Sequence, residues 1–250
     1  MAATPASAAN TGGMPANAGA AGVGGSASAT GLDALNCIVT PAMTDGPFFV
    51  DEGLNRSSLI MGETDAAIAN AVPLKLVIGV YAVSGMACKP LAGVQVDIWQ
   101  ANAIGVYSDV TPGLVQSVDT RGKKFLRGYQ LSDAQGVVRF DTIYPGWYMS
   151  RTIHIHFKLR MLDSSVSARE FTSQMFFDEA INAAVLANAP YSSRSDTRAV
   201  LNDDDHIYNG TAMNGQRPPA GTSAPGKSIM PALAADGAGY TATLKIGVMS

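Results

Sequence analysis

"LKLVIGVYAV", residues 74–83, places Leu74, Leu76, Ile78, Val80 and Ala82 at every second position. Successive side chains of an extended chain point to opposite faces, so this alternation predicts a half-buried β-strand. The same period returns in "GVQVDIW" (93–99), with Val94, Val96 and Ile98 in phase. It continues in "GVVRFDTI" (136–143) and "TIHIHFKLRM" (152–161), and ends in "GYTATLKIGV" (239–248), where Tyr240, Ala242, Leu244, Ile246 and Val248 line up. Turn-forming stretches separate the runs: "SGMACKPLAG" (84–93), "DAQG" (133–136) and "YPGW" (144–147). Repeated short strands of this kind predict an all-β domain, a sandwich or a barrel. Only "FFDEAINAAVLANAP" (176–190) has helical spacing, with Ile181, Val185 and Leu186 on one side and Pro190 ending it. "RPPAGTSAPGKS" (217–228) is a Pro/Gly-rich loop.

The 250 residues are 47% hydrophobic and 15% charged, which suits a well-filled globular core. A net charge of -3 provides no electrostatic footprint for nucleic acid or an anionic membrane surface. No apolar run is long enough for a membrane span. Charged side chains begin only at Asp33 and basic ones at Arg56. Residues 1–32, almost all Ala, Gly, Ser, Thr, Pro and Asn, have too little to bury to offset their ordering entropy. They are expected to form a flexible tail, either a spacer like those that follow a removed export signal or an ordinary disordered terminus. Residues 33–250 then form one domain. The two cysteines, Cys37 and Cys88, suit either one disulfide or two buried thiols. A bridge would close a loop of about fifty residues, worth roughly 4 kcal/mol on a chain-entropy model. The tail and the cysteine pair together favour an exported protein, periplasmic or extracellular.

Two of the three histidines, His154 and His156, sit in one strand. Ile153, Ile155, Phe157, Leu159 and Met161 form its core face, and Thr152, His154, His156 and Lys158 the other. Two imidazoles two residues apart on one face can share a metal ion; the bland alternative is a polar pair on a solvated face. Zinc hydrolases and cupin-like sites also use H-x-H strands, but no Asp or Glu lies within this motif. Tyr148 stands six residues before His154, and Tyr107 follows a strand and turn in "DIWQANAIGVYSDV" (97–110). Ionising a tyrosine at pH 7 costs about 4 kcal/mol, which a highly charged bound cation supplies. Hard phenolate oxygens favour Fe(III) over zinc or Cu(I). Two tyrosinates and two neutral imidazoles leave such an ion one residual positive charge, which a hydroxide could cancel.

Beyond these residues, "TPAMTDGPFF" (40–49), "CKPLAGVQVDIWQANAIGVYS" (88–108), "FLRGYQLSDAQGVVRFDTIYPGWY" (125–148), "RTIHIHFKLR" (151–160) and "TSQMFF" (172–177) occur in one order. Together they resemble the intradiol ring-cleaving dioxygenases, with weaker similarity through "NDDDHIYNG" (202–210). The resemblance implies an antiparallel β-sandwich core with long loops. It implies Fe(III) as cofactor, with Tyr107, Tyr148, His154 and His156 as its ligands. Tyr148 matches the ligand that leaves when substrate binds, and Arg151 the active-site arginine. The implied reaction is cleavage of a catechol-type diol by O2 between its two hydroxyl-bearing carbons, giving a muconate-type diacid. The implied partners are the small aromatic diol and O2, with the oligomeric state, a homodimer included, left open.

The sequence has no counterpart of the helical segment through which cytoplasmic catechol enzymes of the family dimerise. Its Tyr148-to-His154 interval is also short, as in the family's exported branch. Pro47, Phe48, Trp147 and Gln174 are the candidate substrate-pocket residues; each also has a plain packing or hydrogen-bonding reading. Trp99 reads as a packing residue and His206 as a surface loop residue. Two rival functions are a catalytically idle β-sandwich that binds aromatic or carbohydrate ligands, and a zinc hydrolase built on the H-x-H strand. The rivals leave Tyr107 and Tyr148 without a role.

Overall fold

A computed structural model describes residues 32, 38–85, 87–161, 170–212 and 214–249. Its nine strands among those residues form two sheets. In the first, β1 (Pro73–Ser84) pairs antiparallel with β2 (Ala87–Pro90) at one end and with β5 (Val137–Ile143) at the other. On its opposite edge β1 pairs with β9 (Gly239–Met249), which in turn pairs with β8 (Ala232–Asp236). The second sheet has the order β4 (Arg127–Leu131), β3 (Gln95–Trp99), β6 (His154–Arg160), β7 (Glu170–Phe176), all antiparallel. The β1–β9 pair is parallel, the one departure from the expected antiparallel sandwich among the described strands.

The alternating residues meet between the sheets, as their spacing requires. Leu74, Leu76, Ile78 and Val80 from β1 and Ala242, Leu244 and Ile246 from β9 share one cluster with Val96, Ile98, Ile155, Phe157 and Leu159 of the second sheet. Each large side chain so buried contributes about 1.5–3 kcal/mol. β-branched residues fill much of this face, where their restricted χ1 suits a pleated surface.

The expected helix is α2 (Glu179–Leu186), started by Asp178, whose carboxylate accepts from the Ala180 N–H. Two further single turns, α1 (Ala66–Ala69) and α3 (His206–Asn209), accompany it. They escape the helical period because four residues are too few to show one. Of the expected tail, residues 1–31 lie outside the described residues, while Leu32 is buried beside Gly79. Cys88 is disulfide-bonded; the sequence's other cysteine, Cys37, lies outside the described residues. No helix among the described residues is long and apolar enough to cross a membrane.

The outer face of the second sheet is covered by loops. The segment before β1 is tied to β7 through Met43 N–H to the Thr172 carbonyl (2.8 Å), Ser173 Oγ to the Pro41 carbonyl (2.7 Å) and Gln174 Nε2 to the Thr44 carbonyl (2.9 Å). This covering layer turns the polar face of β6 into an interior.

Candidate active site

β6 is buried on both faces. His154 and His156 point away from the sandwich core into the space beneath the loops, with exposures of 2% and 0%. Their Nε2 atoms face one another at 3.1 Å. The Nδ1 of His154 lies 2.7 Å from the Thr152 carbonyl. A carbonyl can only accept, so that nitrogen carries the proton and Nε2 presents a lone pair. The His156 ring stacks on Trp99, its register partner in β3, at 4.8 Å and 7°. On β7, Gln174 is its other register partner. Gly46, in the left-handed region at φ +69°, passes close by: a Cβ there would stand 3.1 Å from His156 Cε1.

Tyr107 comes from the loop between β3 and β4, where its backbone is clamped on both sides. Gln116 accepts from its N–H at 2.7 Å and donates to its carbonyl at 3.0 Å, and Thr120 donates to the same carbonyl at 2.7 Å. Its ring stacks on Phe48 at 4.6 Å. Tyr148 comes from the loop after β5, which folds tightly back: Arg151 N–H donates to the Tyr148 carbonyl at 3.2 Å, and Ser150 between them sits at φ +68°. A non-glycine residue there carries backbone strain. The turn brings Arg151 Nη1 to 3.4 Å from the Tyr148 hydroxyl, itself 3.5 Å from His154 Nε2. The ring of Tyr148 meets those of Tyr107, His154 and Phe48 at 5.6, 5.4 and 5.6 Å.

The four candidate ligands thus converge from two loops and one strand. Burial, helped by Arg151, drives the pKa of His154 well below its ordinary value. Burial, with His154, Arg151 and Arg127 nearby, does the same to His156. Both are therefore neutral, the form that binds a metal. Burial pushes the phenols of Tyr107 and Tyr148 up, with Arg151 acting in the opposite direction on each.

Tyr107 Oη and His156 Nδ1 have no hydrogen-bond partner among the described residues, and neither does Nε1 of the stacked Trp99. A buried orphan of this kind costs about 1–3 kcal/mol. A cation held between the two Nε2 atoms and the two phenolic oxygens would resolve the Tyr107 orphan and lower the cost of ionising both tyrosines. A donor set of two imidazoles and two hard oxygens fits a ferric ion. No group of three or more His, Cys, Asp or Glu side chains suited to a metal occurs among the described residues.

Arg151 is held by residues far away in sequence. Its Nη2 donates to Gln174 Oε1 at 2.6 Å and its Nε to Asp205 Oδ2 at 2.7 Å. Asp205 is fully buried and fully satisfied. It also accepts from Thr152 N–H at 2.8 Å and caps α3 through the Ile207 and Tyr208 N–H groups at 2.8 and 3.0 Å. Burial works to lower the Arg151 pKa, but Tyr148 and Asp205 more than offset it and the guanidinium ends above its ordinary value.

Of the four candidate pocket residues, Gln174 orients Arg151 and Phe48 packs on the tyrosines. Pro47 lines a cavity that reaches Tyr148 and Arg151. Trp147 is packed in the sandwich core under the Arg194 guanidinium, 3.7 Å from its ring centre, and does not line that cavity. His206, read as a surface residue, instead opens α3 and lines the cavity. Asp205 went unnoticed in the sequence, where it is the last of three consecutive aspartates whose other two are exposed.

Residues 44–204 match the model of a family described as Dioxygenase. With that match, the chain belongs to the intradiol ring-cleavage dioxygenases. An intradiol ring-cleavage dioxygenase from Tetranychus urticae has a similar structure, with a TM-score of 0.67 at 24% identity over 85% of this chain and 95% of that one. The dioxygenase domain of a dioxygenase carbohydrate-binding protein fusion from the cellulolytic bacterium Streptomyces sp. SirexAA-E superposes with a TM-score of 0.53 at 24% identity, over 85% and 99% of the two chains. Chlorocatechol 1,2-dioxygenase from Pseudomonas putida gives 0.51 at 18% identity, over 84% and 72%. At these identities the likeness is one of fold. No curated protein matches the chain significantly.

Proposed function

We propose that this protein is a non-haem Fe(III) dioxygenase that cleaves catechol-type diols between their hydroxyl-bearing carbons, giving a muconate-type diacid. The observation that carries the reading is the meeting of Tyr107, Tyr148, His154 and His156 in one buried cluster, with a phenolic oxygen left without a partner. These four residues would hold the iron. The chemistry a bound ferric ion supplies is chelation of the diol and withdrawal of ring electron density, so that O2 attacks a ring carbon.

The chain's own groups have distinct parts in this. Tyr148 Oη, within reach of Arg151 Nη1 and His154 Nε2, would accept a substrate hydroxyl proton. Tyr107, clamped through its backbone by Gln116 and Thr120, stays in place. The neutral imidazoles are fixed by the Thr152 carbonyl and by the Trp99 stack. Arg151 supplies fixed positive charge beside the electron-rich ring, held in advance by Gln174 and Asp205, so that little reorganisation is needed as charge develops. Phe48 packs on both tyrosine rings and helps to hold them in place.

The disulfide-bonded Cys88 supports an oxidising compartment, and export to the periplasm or the extracellular space is part of the proposal. The reaction is tested by incubating iron-loaded protein with catechol under isotopically labelled O2. The expected product is a ring-opened diacid that carries both labelled atoms. A product with one labelled atom, or with none, contradicts the reading.

A further inference from the structure

A cavity of about 710 Å³ opens onto Tyr148 and Arg151. Sites of roughly 300–1,000 Å³ serve drug-sized ligands, and a bare diol ring fills a small part of this one. Its walls beyond the site are mainly apolar, with Met43, Pro47, Val115, Ile207 and Pro225 among them. The charged side chain lining it is Arg151, already engaged by Asp205 and Gln174. Apart from Tyr148, the other ionisable wall residue among the described residues is His206, and no carboxylate among them lines the cavity. Apolar surface continues outside. Leu114, 93% exposed, precedes Val115, and Met149, 54% exposed, follows Tyr148. Pro47 and Val115 also wall a second cavity of about 330 Å³, which Leu114 lines as well.

We propose that the site takes catechols that carry a bulky uncharged substituent, alkyl or aryl, seated against Val115, Ile207 and Pro225. Unsubstituted catechol would leave that apolar wall wet. A ring carboxylate would enter with no free cation to meet it, at the desolvation cost of an unpaired charge. Ile207 is the specificity-determining residue within easiest experimental reach, because it borders the cavity from α3 while its backbone remains held by Asp205.

This proposal rests on the diol-cleaving reading, and binding can be separated from turnover. Calorimetry under anaerobic conditions on the iron-loaded protein would compare catechol, 4-tert-butylcatechol and 3,4-dihydroxybenzoate. The butyl compound should bind at least about tenfold tighter than catechol, from the extra apolar surface removed from water. The dihydroxybenzoate should bind more weakly than catechol. Ile207→Trp should remove most of the butyl compound's advantage over catechol, since it fills the wall on which the substituent is seated. Catechol binding as tightly as its butyl derivative, or a preference for the carboxylate, overturns the proposal, and this wild-type comparison stands even if the variant fails to fold. Admitting air to the same samples tests the other reading. Binding in the expected order without ring cleavage sinks the reaction and keeps the cavity's preference, whereas no binding by any of the three overturns both.

Discussion

The two faces of β6 are both buried, for opposite reasons. On the inner face, Ile155, Phe157 and Leu159 are sealed against the other sheet and have no polar group to satisfy. On the outer face, His154, His156 and Lys158 are equally hidden but polar, and each polar atom has to find a partner or remain a cost. Lys158 does so at the far end, with Asp45 at 3.0 Å and the Phe49 ring beneath it. The histidines do so only in part: their Nε2 atoms face each other at 3.1 Å, while His156 Nδ1 and the nearby Tyr107 hydroxyl have no hydrogen-bond partner among the described residues. A strand can therefore be core on one side and site on the other, and unsatisfied atoms distinguish them better than burial does.

The contrast predicts that substitutions on the two faces fail differently. His154→Ala removes one of two nitrogen donors, and nearly all bound iron should be lost while the domain stays folded; metal analysis beside circular dichroism checks this. Full iron content in the variant would break the contrast. Tyr148→Phe keeps the ring and its packing but removes the oxygen that takes the proton. Turnover per bound iron should fall by about 100- to 10,000-fold, with iron retained by Tyr107, His154 and His156. Near-normal turnover at matched iron loading would remove Tyr148 from its role as departing ligand.

Asp205→Asn tests the support behind the site. It weakens the bonds to Arg151 Nε and Thr152 N–H and should cost about 2 kcal/mol of stability. Turnover should fall about 10- to 100-fold, as for other groups that orient a metal site from behind. The loss should appear in kcat more than in KM, because Arg151 would be misplaced rather than absent. An effect on stability alone would make Asp205 a purely structural cap for α3. The smallest effect belongs to the inner face. Ile155→Val should cost about 1 kcal/mol in chemical denaturation and leave iron content and turnover unchanged. Loss of iron in that variant would mean that the faces are coupled through the strand.

Much of this contrast was legible in the residues themselves. Period-two alternation marked β1, β3, β6 and β9 because one face of each meets the sandwich core, and the same alternation put His154 and His156 together. The pairing of β1 with β9 was not legible, since it joins the first and last strands in chain order and nothing local specifies the parallel register. Trp99 read as simple packing, yet it stacks on His156, a contact set by the β3–β6 register. Asp205 was hidden for a similar reason. Three consecutive aspartates look alike until the fold buries one of them against an arginine 54 positions away. His206 looked like a loop residue because a single helical turn leaves no periodic trace, and the cavity it lines exists only once the loop lies against the Pro47 segment.

The most direct test of the central claim is the metal content and visible spectrum of the purified protein. About one iron per chain is expected, with a red-brown colour from tyrosinate-to-iron charge transfer that weakens and shifts in Tyr148→Phe. A colourless protein that holds stoichiometric zinc, and that consumes no O2 with a catechol after reconstitution with iron, would contradict the account.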